Sequence, residues 1–81
     1  MRVDKFLKVS RIIKRRTVAQ EACDGKRIEV NGKAAKPAKE IKVGDIVSVR
    51  FGDKTFTFRI LSLSENSTKS TAADMYEIID G

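Results

Sequence analysis

Histidine and tryptophan are absent from this chain of 81 residues, and cysteine and proline occur once each. Without histidine, the commonest general base and the commonest zinc ligand are both missing. One cysteine cannot close an internal disulfide or build a thiolate cluster, a usage that suits a reducing cytoplasm. No apolar run approaches the roughly 20 residues that span a bilayer, so no membrane partner is expected. The opening Met-Arg-Val-Asp-Lys-Phe places charges on both sides of its first apolar residues and leads into no long apolar stretch, which does not read as a secretion signal. A domain of this size buries only about 60% of the surface its unfolded chain exposes, leaving little room for an enclosed active site beside a core. A binding module without a cofactor, not an enzyme, is the expectation.

What the chain does have is positive charge, and it is unevenly placed. Lys plus Arg number 17 against 11 Asp plus Glu, for a net charge of +6. Residues 1–20 alone hold Arg2, Lys5, Lys8, Arg11, Lys14, Arg15 and Arg16 against the single acid Asp4, while residues 65–81 are net acidic. This asymmetry points to a polyanionic partner for the front of the molecule.

Periodicity predicts a helix over residues 4 to about 14, with Asp4 as its N-terminal cap. Val3, Phe6, Leu7, Val9, Ser10 and Ile13 fall in one arc, and Lys5, Lys8, Arg11 and Arg15 in the other, with Ile12 an apolar intruder. Thr17 followed by Gln20 has the spacing of a capping box, which predicts a second helix carrying Val18, Ala19, Ala22 and Cys23 as its apolar stripe. Gly25 is the expected left-handed stop. At about two turns, this helix must pack on the first to persist.

Strands are predicted for the remainder. Arg27-Ile28-Glu29-Val30 alternates, Asn31-Gly32 is a strong hairpin signal, and Lys33-Ala34-Ala35 begins a return that Pro37 breaks or confines to an edge. Lys42 to Asp45 reads as a turn, Ile46 to Phe51 as a strand with Val47, Val49 and Phe51 on one face, and Thr55 to Leu63 as its partner. Residues 64–72 are polar and aperiodic, a loop; Ala73 to Ile79 is expected to add a short closing element. The chain contains no internal repeat or linker, so residues 1–81 are expected to form one α+β domain, two short N-terminal helices packed on a small, mostly antiparallel sheet.

The residues Arg2-Val3-Asp4-Lys5-Phe6-Leu7, Ser10-Arg11, Arg15-Arg16-Thr17, Ala19 and Gly25, then Ile28-Glu29-Val30-Asn31-Gly32, Lys36 and Val43-Gly44-Asp45-Ile46, resemble the RNA-binding domain named after the small-subunit ribosomal protein S-four. With Val49-Arg50-Phe51-Gly52 and Ala72-Ala73-Asp74-Met75-Tyr76, the resemblance extends over nearly the whole chain to the short stand-alone proteins of the RqcP (YabO) type. It implies an S-four-like fold, cytoplasmic location, and a role in ribosome-associated quality control. In that family the protein binds the large ribosomal subunit, contacting ribosomal RNA and tRNA. There it holds peptidyl-tRNA while RqcH directs alanine tailing, and a monomer is expected. Related proteins of the heat-shock-protein-fifteen type usually carry a longer basic C-terminal extension, which does not appear in this sequence.

On this resemblance Arg2, Arg15 and Arg16 are the leading RNA contacts, with Lys5, Lys8, Arg11, Lys14, Lys33 and Lys36 extending the surface. Asp4, Thr17, Asn31 and Gly32 are read as structural support; Lys26 and Arg27 can lengthen the basic face. The guanidinium fork matches phosphate bidentately, and lysine supplies point charge. The four phenylalanines occupy positions that mostly look like core, so base stacking is not expected as the main mechanism. Cys23 reads as a small core residue. Competing readings are a large-subunit recycling factor of the heat-shock-protein-fifteen kind, a structural or assembly protein of the ribosome, and a general nucleic-acid binder.

Overall fold

The protein is described here from a computed structural model covering residues 1–63 and 72–80. Apart from Ala72, the polar loop expected at 64–72 lies outside those residues. Helix α1 spans Val3–Val9 and α2 spans Arg16–Asp24. The strands are β1 (Ile28–Val30), β2 (Lys33–Ala34), β3 (Ile46–Phe51), β4 (Lys54–Ile60) and β5 (Tyr76–Asp80), with one 3₁₀ turn at Ala72–Met75. All five strands pair antiparallel in the order β2-β1-β3-β4-β5. The fold is thus the α+β architecture expected, with Ala72 buried in the closing element and not in the loop.

Helix α1 is shorter than its periodicity suggests, because the chain turns back while continuing to bury every third or fourth residue. Arg11 adopts the left-handed conformation (φ 63°), its N–H bonds the Lys8 carbonyl at 3.0 Å, and the Ile13 N–H returns to the Leu7 carbonyl at 3.0 Å. Ser10 and Ile13 therefore stay buried outside the helix. Nor does Asp4 cap the helix. The residue before the helix is Arg2, which makes no side-chain cap, and the N–H groups of Val3 and Asp4 instead reach the carbonyls of Lys39 (2.8 Å) and Pro37 (3.3 Å). The loop between β2 and β3 thus satisfies donors that a helix start leaves open.

The second helix departs from expectation in the same places. It starts one residue before Thr17, which is exposed inside it; Arg15 occupies the cap position without a side-chain bond. Gly25 is right-handed (φ −82°), and the left-handed residue is Lys26 (φ 60°). The N–H groups of Lys26 and Arg27 bond the carbonyls of Cys23 (3.0 Å) and Ala22 (2.8 Å), the paired closure of a Schellman motif. Gly25 fits for want of a side chain, since a Cβ there would stand 3.3 Å from the Glu21 carbonyl oxygen.

Asn31 (φ 54°) and Gly32 (φ 85°) make the two-residue turn joining β1 to β2, both left-handed as that turn requires. Asn31 also ties the hairpin to β3: its Oδ1 accepts from the Ile46 N–H at 3.0 Å and its amide donates to Asp45 at 3.3 Å. The side chains at Val47 and Val49 face those of Phe58 and Phe56 across β3 and β4. Over this face lies α1, with Phe6 stacked on Phe58 at 6.0 Å and Tyr76 meeting Phe58 edge-on at 5.4 Å. Cys23, Met75 and Ile60 are buried in the same core. Phe51, expected on the buried face, is 51% exposed at the end of its strand.

Phe58 is the ring shared by helix, sheet and closing strand, and it is fully buried. Phe58→Ala is expected to cost about 3–5 kcal/mol in urea denaturation, enough to leave a domain this small largely unfolded; a loss below about 1 kcal/mol would show that the core does not centre there.

Candidate nucleic-acid interface

The two helices meet at a carboxylate. Asp4 is completely buried, yet α1 presents it toward α2 rather than toward apolar neighbours. Its Oδ2 accepts from Arg2 Nη2 at 3.1 Å, from Gln20 Nε2 at 3.1 Å and from Arg16 Nε at 3.4 Å, while Oδ1 accepts from the Lys5 N–H at 2.7 Å. Gln20, read from sequence as half of a capping box, instead crosses to the other helix. Burial by itself raises the pKa of the Asp4 carboxyl, but the Gln20 amide, the Lys5 N–H and the Arg16 guanidinium outweigh it and hold the pKa below its ordinary value of 3.8.

This arrangement fixes two of the leading candidates. The heads of Arg2 and Arg16 lie against one oxygen atom, their side chains 42% and 39% exposed. A guanidinium carries five N–H donors, so each keeps donors in excess of its bond to Asp4. One of them, Arg2 Nε, is buried with no partner among the described residues. The two cations repel each other less for sharing a carboxylate, and each surrenders less side-chain freedom on meeting a phosphate because it is already held.

The other candidates fall into separate groups. Lys8, Arg11, Lys14 and Arg15 are exposed from the end of α1 to the start of α2, and Lys5 is half-buried on α1. Lys33 and Lys36 line a groove with Lys39 beside the β1–β2 hairpin. The Lys36–Lys39 turn abuts the start of α1, because Pro37 and Lys39 supply the carbonyls that receive its first N–H groups. Lys39 was not selected from sequence, although the run Lys33, Lys36, Lys39 repeats every three residues. Thr17 is an exposed residue of α2 beside Arg16, and Gly32 is the second left-handed residue of the β1–β2 turn.

The Cys23 thiol belongs to the core. Burial, with the nearby charges of Asp4 and Asp24, pushes its pKa up to about 11, so it is an unreactive thiol at neutral pH. No group of three or more metal-ligating side chains occurs among the described residues, and no described helix is long and apolar enough to cross a membrane.

Residues 1–47, which hold the two short helices, the arginine pair on Asp4 and the β1–β2 hairpin, match the model of the S4 domain. Nearly the whole chain aligns with proteins named RQC P-site tRNA stabilizing factor. The protein from Streptococcus pneumoniae is 54% identical over 79 residues, covering 98% of this chain and 90% of that one. The protein from Bacillus subtilis is 51% identical, covering 98% and 92%. The chain belongs to this S4-domain family of RQC P-site tRNA stabilizing factors. A trimeric structure of Vibrio cholerae Heat Shock Protein 15 superposes with a TM-score of 0.89 at 29% identity, over 98% of this chain and 81% of that one.

The Asp4 cluster makes a pH-dependent prediction. A carboxyl with a lowered folded-state pKa contributes stability that is fully present above its unfolded value, here 3.8, and is lost as pH falls through the folded value. Asp4→Asn is expected to reduce urea stability by about 2 kcal/mol near neutral pH. The gap to the wild type should hold at mildly acidic pH and close below pH 3.8. Equal stability at neutral pH, or a gap that widens in acid, would contradict the assignment.

Proposed function

We propose that this protein is a non-enzymatic RNA-binding factor of the large ribosomal subunit that steadies peptidyl-tRNA on obstructed subunits during ribosome-associated quality control. The observation that carries this reading is the arginine pair of Arg2 and Arg16 held on buried Asp4, in a chain aligned end to end with tRNA-stabilizing factors. The whole chain acts as one binding domain in the cytoplasm, without cofactor or metal and as a monomer.

The mechanism is positional. Arg2 and Arg16 present prearranged donors to phosphate, while Lys8, Lys14 and Arg15 follow the backbone as adaptable charges. Lys5, Arg11, Lys33, Lys36 and Lys39 widen the surface, so that ribosomal RNA and tRNA are held by one rigid body. Holding both slows loss of the tRNA, which is all a stabilizing factor must do; RqcH and the ribosome supply the alanine-tailing chemistry. Folded RNA is recognised largely through phosphates, shape and 2′-hydroxyls, which suits a surface of this composition.

The cleanest test uses a side chain outside the Asp4 cluster, because Arg2 and Arg16 also hold the fold. Arg15 is exposed and makes no described side-chain contact to Asp4. Arg15→Glu is expected to leave urea stability within about 0.5 kcal/mol of the wild type. It should weaken binding to large subunits carrying peptidyl-tRNA by about tenfold and lower the slope of log affinity against log salt by about 1. Unchanged affinity and slope would remove this surface from the RNA contact.

A further inference from the structure

The apolar face of the sheet outruns the helix that covers it. Along β3 the side chains of Val47, Val49 and Phe51 share a face, opposite Phe58, Phe56 and Lys54 of β4. Helix α1 lays Phe6 on Phe58 of the first pair and ends at Val9, after which the left-handed Arg11 turns the chain aside. The last pair, Phe51 and Lys54, is left uncovered. Between this hairpin end and the turn after α1 lies an open groove of about 690 Å³. Its walls carry Phe51, Phe56 and Tyr76, and the two cations Arg11 and Lys54, with no carboxylate among the described lining residues. Phe51 is 51% exposed, whereas Phe56 is fixed edge-on against Tyr76 at 6.4 Å.

We propose that this groove receives an unpaired nucleotide of the bound RNA, its base stacked on Phe51 and its phosphate held between Arg11 and Lys54. The proposal rests on the RNA-binding reading above and adds to it a site for a single-stranded element. A nucleotide joins a flat π-face to an adjacent anion, the two complements the groove offers, and stacking on an aromatic ring does not depend on which base is present. Arginine can add a cation–π contact to the same stack. Arg11 lines the groove and also begins the basic connection between the helices that runs on through Lys14 and Arg15. A strand leaving a helical RNA segment held at that connection would meet the groove next.

The test compares a short blunt RNA hairpin with the same hairpin carrying a single-stranded 3′ uridine tail, by fluorescence anisotropy at fixed salt. The wild type is expected to prefer the tailed RNA by about tenfold, the size of one stacked base. Phe51→Leu keeps the apolar character at an exposed position and should abolish that preference while leaving blunt-hairpin affinity unchanged; Phe51→Trp should retain it. Lys54→Ala should reduce the preference and its salt dependence together. Equal wild-type affinity for the two RNAs, or a preference that survives Phe51→Leu, would overturn the proposal while leaving the RNA-binding reading intact. Failure to bind either RNA would overturn both. Loss of large-subunit binding in Phe51→Leu with no change toward tailed RNA would also overturn it, reassigning the groove to a protein partner.

Discussion

One buried carboxylate holds the front of this protein together. The helices contain seven and nine residues, too few to persist in water without packing. Their apolar faces supply part of that packing, but two of the arginines near their starts would repel each other if left alone. Asp4 lies between them and accepts from both, and from Gln20 of α2 as well. Burying the charge is costly, and its four donors offset that cost. The same contacts that join α1 to α2 therefore set the direction of the arginines. Stability and the presentation of positive charge are consequently one property here, and a variant of Asp4 alters both.

Much of this was legible in the sequence, for identifiable reasons. Period-two alternation in Val47-Val49 and Phe58-Ile60 has one reading once Asn31-Gly32 and Gly44-Asp45 mark the turns, and the antiparallel sheet follows. Helix ends were less legible because both are closed by a basic residue in the left-handed conformation, Arg11 and Lys26, where glycine is the usual signal. Ile13 preserved a helical spacing after the helix had ended, since the returning chain buries it by another route. Thr17 and Gln20 had the right separation for a capping box, but the helix starts one residue before Thr17, and the Gln20 amide donates to the distant carboxylate of Asp4. Local pattern cannot reveal a partner sixteen residues away.

The candidate interface was legible as composition and not as geometry. Counting charges separates residues 1–20 from the rest, yet it cannot distinguish Arg2 and Arg16, held on a carboxylate, from Lys14 and Arg15, which project without one. Lys39 was overlooked because its neighbourhood is set by a loop carbonyl that receives the Val3 N–H. Phe51 was misread because alternation predicts which face a residue takes, not whether anything covers that face at the strand's end. Under the proposed function these differences divide the labour: the fixed arginines set register on phosphate, the free cations add salt-dependent affinity, and the groove beside Arg11 and Phe51 accepts what is unpaired.

The central claim concerns where the protein acts, and the direct measurement is recovery of the tagged chain from its host at moderate salt, with sequencing of bound RNA and identification of bound proteins. The account predicts free large subunits enriched in tRNA, with RqcH on the same particles. Intact ribosomes at near-stoichiometric yield, or a mixture of unrelated RNA and DNA, would contradict it.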